Sequence, residues 1–393
     1  MKWSTLLFAL VMATFPWDTR LAYAAPGLLI ANTRGDNAIV QYTLPFADGD
    51  VPTTLLGSDA VEGPDHLLVE GDYLYISHGD SPETSAIARM NVADGTLEAD
   101  FATGGALHRP YGFDFYNGTL YVASFKSDQI LMYAQETGDY VGVFAETNGT
   151  EEGLCNGPNQ IYISDDDGLL YMTTQGSNFN GTELNFLFNS QIVVYDLETG
   201  DGSVFLPPPM PLPGGAGFVS LLGVTVGCGT ASAPAAGEAC TMYTTDFAGG
   251  LRVYAMDPDG PTLLYAVETS YQAGVSTGSL SFDTAESQLY VPVWLNETSG
   301  AVVLRFAADD GASAGLLETD DSAIYIETDD GSTDLSRPIG VLFLPEAVDF
   351  STEVPAASPG GSSAATACGS VALGCTAMMT WFAFVTVAVS SGF

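Results

Sequence analysis

The chain has 393 residues, 46% of them hydrophobic, and 9 basic against 48 acidic residues give a formal net charge of −39. Such a surface repels phosphate backbones, which excludes nucleic acid as a partner, and it disfavours adhesion to anionic lipid. The length admits a large closed all-β domain, and acidic runs such as Asp165-Asp166-Asp167 and Asp329-Asp330 raise divalent-cation binding beside plain solubility.

Lys2 precedes an apolar run over 3–15, and Ala22-Tyr23-Ala24 fits a small-x-small cleavage site, so 1–24 reads as a secretory signal peptide. From 26 to 346 the chain reads as strands and tight turns. The clearest stretch is His108 to Ala145. Four strands are expected there, at 112–116, 119–124, 129–134 and 140–145. Asn117-Gly118 joins the first two because both positions tolerate positive φ. A polar turn at 126–128 and Glu136-Thr137-Gly138-Asp139 join the others. Four antiparallel strands in about 40 residues make one propeller blade, which cannot bury both faces without neighbours of its own kind.

Strand-opening units similar to Arg109-Pro110-Tyr111-Gly112-Phe113 recur as Gly63-Pro64-Asp65-His66-Leu67, Gly157-Pro158-Asn159-Gln160-Ile161 and Arg337-Pro338-Ile339-Gly340-Val341. Degenerate copies stand at Ser220-Leu221-Leu222-Gly223-Val224 and Ser276-Thr277-Gly278-Ser279-Leu280. A second strand carrying an aromatic follows each of the first five, as in Leu74-Tyr75-Ile76 and Leu120-Tyr121-Val122. The last opener has no second strand after it. The start of the mature chain has the opposite defect, since 28–32 and 39–44 are second- and third-strand types with no opener before them. The simplest repair is one shared blade, which closes a six-bladed β-propeller and removes open sheet edges. The fourth blade then carries an insertion at 176–188, and 207–213 is a proline-rich connector within the domain.

After 346 comes a small, polar spacer, 347–370, and an uncharged apolar segment, 371–389, with no Lys or Arg behind it. This fits a GPI-attachment signal or, alternatively, an ordinary membrane span. Either places the folded part on the cell surface, where the membrane is met only through this anchor. That setting suits four Asn-x-Ser/Thr glycosylation sequons at Asn117, Asn148, Asn180 and Asn296. It also suits a hairpin-closing disulfide between Cys228 and Cys240, which leaves Cys155 unpaired. Arg34-Gly35-Asp36 is explained by turn chemistry.

In a propeller the first strand of each blade lines the axial channel. Aligned openers put Arg109 and Arg337 at one ring level, in blades that flank Asp65 and His66; two residues further on come Asp65, Tyr111 and Asn159. The mature chain has only seven basic residues, so a local positive mouth formed by Arg109 and Arg337, with Asp65 and Tyr111, would attract a carboxylate or another anion. The alternative is that each Arg pairs with an Asp of the next blade and staples the ring. Gly274-Val275-Ser276-Thr277-Gly278 matches a hydrolase pattern, but all three histidines precede its serine, so it is set aside.

The Pro-x-Gly openers, the Leu-Tyr-Val second strands and their spacing resemble NHL-repeat and lactonase-like six-bladed propellers. The resemblance spans almost the whole mature chain and is specific for fold, while its members include binding modules, lactonases and lyases. Gly157-Pro158-Asn159 is similar to a motif of calcium-dependent lactonases and paraoxonases, where such an Asn binds the channel metal. By resemblance, Asn159 would bind the channel metal; of the aligned ring residues Asp65 is the other that could ligate calcium, and His66 and His108 would be acid–base candidates. Other blades offer Leu222, Gly278 and Ile339 there, which cannot ligate through side chains. The expectation is therefore a monomeric binding module that takes a protein, a glycan or a small anionic ligand at its channel mouth. The alternative is a calcium-dependent hydrolase or lyase of lactonase or esterase type.

Overall fold

The structure is a computed structural model, and it describes residues 26–33, 37–46, 51–213, 215–228, 240–257, 260–269, 276–296, 299–309, 324–327 and 335–345. The segments 1–24, 347–370 and 371–389 lie outside these, as do Arg34-Gly35-Asp36 and Asp329-Asp330.

The described residues form six small antiparallel sheets arranged in a ring. The shared blade closes it. Pro338–Leu344 pairs with Gly27–Asn32, setting Val341 opposite Ile30, and Ala38–Thr43 and Thr53–Leu56 complete that sheet. We call this blade 1. Blade 2 is Leu67–Glu70, Tyr73–His78, Ala86–Asn91 and Leu97–Ala102. Blade 3 is Pro110–Tyr116, Thr119–Ser124, Gln129–Ala134 and Tyr140–Glu146. Blade 4 is Pro158–Ser164, Leu169–Thr174, Ile192–Asp196 and Gly202–Leu206, with the insertion folded as a separate hairpin, Ser177–Phe179 against Leu184–Phe186. Blade 5 is Leu221–Cys228, Cys240–Asp246, Gly250–Asp257 and Gly260–Val267.

Blade 6 departs from the pattern. Its innermost strand is broken into Ser276–Thr277 and Ser281–Asp283, both paired with Gln288–Asn296, and Ser299–Ala307 and Ile324–Glu327 lie outside. At the break the chain leaves its own sheet for blade 1: the Ser279 amide donates to the Ile339 carbonyl at 2.7 Å. Blade 3 differs in one detail. The turn expected at 126–128 is a short 3-10 helix, Phe125–Ser127, because Phe125 is turned inward and buried.

Each of the six apolar clusters lies between consecutive blades. Leu29 and Ala31 meet Leu67 and Ile76 between blades 1 and 2, and Ile161 and Leu170 meet Tyr121 and Ile130 between blades 3 and 4. Sheets that bury both faces show near-continuous burial in place of alternation, which is why Gly27–Asn32 is buried along its whole length. Leu28, Leu29 and Ile30 are each 0% exposed. At about 1.5–3 kcal/mol per buried side chain they hold the closing blade firmly.

The opener glycine has a packing role. A Cβ built on Gly112 would lie 2.5 Å from Gln160 Cα, 2.5 Å from the Ile161 nitrogen and 2.8 Å from the Asn159 carbonyl oxygen. The inner strands of blades 3 and 4 touch through backbone there. Where blades 1, 3 and 5 carry Gly340, Gly112 and Gly223 at this point of the opener, blades 2 and 4 carry His66 and Gln160.

Candidate functional site

The connectors that enter the inner strands and the loops after the second strands share one face of the ring. Of the expected site residues, Asp65, Arg109, Tyr111 and Arg337 act on one another here. Arg109 comes from the turn that opens blade 3, where its φ is +55, and the corresponding turn residues Gly63 and Gly157 have φ of +58 and +61. A left-handed backbone costs a residue with a Cβ about 1–2 kcal/mol, and glycine escapes it. An arginine therefore stands where neighbouring blades use glycine, and the strain is held by its contacts. Its amide donates to Ser85 Oγ of blade 2 at 2.9 Å, and its guanidinium lies 3.0 Å from Asp80 Oδ1 and 5.2 Å from the Tyr111 ring centroid.

Asp80 is the hub of the rim. It sits in the loop after the second strand of blade 2 and takes Arg109 from blade 3. It also takes Lys126, whose Nζ donates to the Asp80 carboxylate and to its carbonyl, both at 2.9 Å. The ammonium lies 5.2 Å from the Phe179 ring of the inserted hairpin, and the His108 ring meets the same phenyl edge-on at 5.2 Å. The stapling alternative is thus realised for Arg109. It coexists with a wider cluster: Asp65 and Asp80 stabilise the Arg109 charge, and Arg109, Asp65 and Arg337 all act on Tyr111. Arg337 reaches the mouth from blade 1, its guanidinium 5.3 Å from the Trp294 ring. Asp65, Arg109, Tyr111 and Arg337 thus share one field across three blades.

Burial, opposed by Arg109 and assisted by Asp65, pushes the Tyr111 phenol up to about 12, so it remains a neutral donor. His66 lies in the channel with its ring 4.9 Å from Phe113, and the Gln160 side-chain amide donates to it at 3.0 Å. Desolvation, partly opposed by a hydrogen bond with the Phe113 backbone, lowers His66 to about 3. His108 is also lowered, first by desolvation and then by Lys126. The two histidines attach to different partners: His66 meets Gln160 and Phe113, and His108 meets Phe179.

Asn159 is 4% exposed, and its Nδ2 makes no hydrogen bond among the described residues. A bare buried amide N–H₂ calls for an acceptor, and the Oδ1 of the same side chain is the atom that would face a cation. Around it the ring positions that lack ligating side chains have their carbonyls engaged: Leu222 by Thr173 Oγ1 at 2.6 Å, Gly278 by Thr245 Oγ1 at 2.7 Å and Ile339 by the Ser279 amide. Among the described residues no three His, Cys, Asp or Glu side chains cluster closely enough to hold a metal ion. Calcium wants six or more oxygens, and of the aligned ring positions Asp65 and Asn159 carry side-chain carboxylate or amide oxygens.

Asp80, Lys126, Gln160 and Phe179 were not expected as site residues. Lys126 alone carried a signal, as the one lysine of a nearly base-free mature chain. Cys155 has no part in the site. It is buried, its thiol is 3.1 Å from Tyr195 Oη, and burial pushes it up to about 12.

No protein-family model and no curated protein sequence matches the chain. Solved structures do. A chain of a nidogen/laminin complex superposes with a TM-score of 0.51 at 15% identity, covering 82% of this chain and 100% of that one. A candidate 6-phosphogluconolactonase from Bacteroides fragilis gives 0.51 at 12% identity, covering 83% and 100%. The likeness is one of fold. Propellers of this form carry unrelated functions, so chemistry is argued from the mouth residues alone.

Proposed function

We propose that this propeller is a binding module whose channel mouth takes a small carboxylate-bearing ligand. The observation that carries the reading is the strained Arg109, kept at φ +55 where glycine serves in the neighbouring openers. Strain of this kind is retained where the side chain has work to do. Around it three of the seven basic residues of the mature chain, Arg109, Lys126 and Arg337, stand among Asp65, Asp80 and Glu83, so the mouth is near neutral on a chain of −39. The neutral Tyr111 phenol and the bare Asn159 amide add donors for the remaining oxygens. Charge-assisted hydrogen bonds are worth about 1.5–3 kcal/mol each, so losing one weakens binding by about 10- to 100-fold.

Calorimetric titration with acetate, lactate, pyruvate and gluconate, using chloride as the control, tests this. Saturable binding that drops at least tenfold in Arg109→Gly and in Asn159→Ala is the expected result. Equal binding by wild type and both variants, or no saturable binding by wild type, removes the reading.

The Gly157-Pro158-Asn159 resemblance favours a second reading, a calcium-dependent hydrolase with Asn159 and Asp65 on the metal and His66 and His108 as acid–base groups. It requires lactone hydrolysis that a chelator abolishes and Asn159→Ala eliminates. We also place the module at the cell surface, exported by 1–24 and held by a GPI or membrane anchor over 371–389. Asn117, Asn148 and Asn180 are exposed, as glycosylation there requires, and Cys228 stands directly opposite Cys240 in the strand register, as a disulfide requires. Asn296, the fourth sequon, ends a strand of blade 6.

A further inference from the structure

The connector from blade 4 to blade 5 has the sequence Leu206-Pro207-Pro208-Pro209-Met210-Pro211-Leu212-Pro213. Every residue in it is a proline or precedes one. Proline fixes φ near −65°, and the residue before proline is driven to extended or polyproline II backbone, so the segment is held in that conformation by its own sequence. A polyproline II helix has three residues per turn. The burial follows that period: Leu206 is buried and Pro209 and Leu212 are half-buried, whereas Pro207, Pro208, Met210, Pro211 and Pro213 are exposed. One ridge is seated on the protein. Two ridges, Pro207/Met210/Pro213 and Pro208/Pro211, face outward, with Met210 82% exposed.

The seat is built from a buried charge. Arg252, 3% exposed, donates through Nη2 to the Met210 carbonyl at 2.8 Å and lies 3.2 Å from Asp246 Oδ2. Asp246 also accepts from the Ser220 amide at 2.9 Å and the Ala248 amide at 3.0 Å. Burying an ion pair is expensive, and replacing one with apolar residues is often neutral or stabilising. Here the pair fixes an otherwise irregular, apolar connector against the ring. The chain from 202 to 237 contains no charged residue in a protein with 48 acids, so the segment itself carries none of the charge that repels partners elsewhere.

We propose that 206–213 is a displayed polyproline II ligand for a partner protein whose binding groove is lined by aromatic side chains. Such grooves accept two ridges of a Pro-x-x-Pro helix between aromatic rings, and Pro208 and Pro211 supply that spacing on the outward side. Because proline and the Arg252 anchor have already removed the segment's freedom, docking loses little conformational entropy. The inference stands apart from the channel reading, since it uses none of the mouth residues.

The full chain, immobilised for surface plasmon resonance, is titrated with a panel of purified SH3 and WW domains as aromatic-groove probes. Saturable binding by at least one of them is expected, with a loss of about tenfold or more in Pro208→Ala/Pro211→Ala. Met210→Glu alters the outer ridge without freeing the backbone and is expected to weaken the same probe. Circular dichroism spectra and melts confirm that each variant is folded. Binding by no probe, or undiminished binding by folded variants, overturns the proposal.

Discussion

Replacing Arg109 separates its structural cost from its use. At φ +55 any residue with a Cβ bears about 1–2 kcal/mol of strain. Glycine is free of that strain but has a more mobile unfolded chain, which costs about 0.4–1 kcal/mol. Arg109→Gly is therefore expected to be more stable than Arg109→Ala by roughly 1 kcal/mol, reversing the order found at ordinary positions. Against wild type the glycine variant also loses the Asp80 ion pair. That carboxylate is 61% exposed, so the pair is worth about 0.2–1 kcal/mol. The contact with the Tyr111 ring adds about 0.5–1 kcal/mol. Strain relief and lost contacts nearly cancel, so Arg109→Gly is expected to match wild-type stability within about 1 kcal/mol while failing to hold carboxylates. Urea denaturation of the three proteins and calorimetric titration of each provide the readouts. Greater stability of the alanine variant, or wild-type affinity in the glycine variant, would refute the reasoning.

Three further outcomes follow from the packing. Gly112→Ala must move backbone by about 0.9 Å to bring the 2.5 Å approach to ordinary contact, and overpacking of this kind costs about 1–3 kcal/mol; Gly142→Ala, with only Met132 Cε at 3.7 Å, should cost nothing in the same urea experiment. Arg252→Ala leaves the buried Asp246 without its counter-charge and should destabilise by about 3–5 kcal/mol; a loss under 1 kcal/mol would show that the pair does not carry the connector. Asp114 accepts from the Ile163 amide at 2.7 Å across the blade 3–blade 4 junction, and burial, opposed by its two backbone hydrogen bonds, raises it from 3.8 to about 7. A raised carboxyl holds its proton longer when folded than when unfolded, so its contribution is present below 3.8 and is lost as pH rises towards 7. The stability of wild type relative to Asp114→Asn should fall across that window and stay level above it; a flat difference contradicts the assignment.

Much of the scaffold is legible in the chain because it is written locally. Thr119–Ser124 and Gln129–Ala134 have the bounds that alternation and turn chemistry predict. The orphaned opener at Arg337 and the openerless strands after Pro26 together dictate the closure seen between Ile30 and Val341. The first strand of blade 3 begins at Pro110, two residues earlier than expected, since proline can start a strand on the side that needs no donor. The broken inner strand of blade 6 was hidden, because its cause is the backbone of another blade.

The mouth is less legible for the same reason. Its ring level, with Arg109, Arg337, Asp65 and Tyr111, follows from aligning repeats. Its partners do not: Asp80 meets Lys126 across 46 residues, and His66 meets Gln160 across 94. Neither pair has a local signature. The strain at Arg109 was equally invisible, although Gly63 and Gly157 at the aligned positions are the hint that a left-handed turn is required there.

The most direct test of the account is a high-resolution crystal structure of the protein grown with a bound monocarboxylate such as lactate. It predicts density for the carboxylate within hydrogen-bond distance of Asn159 Nδ2 and of the Arg109 or Arg337 guanidinium. A spherical peak ligated by Asn159 and Asp65 oxygens, or a mouth holding only water at saturating ligand, would contradict it.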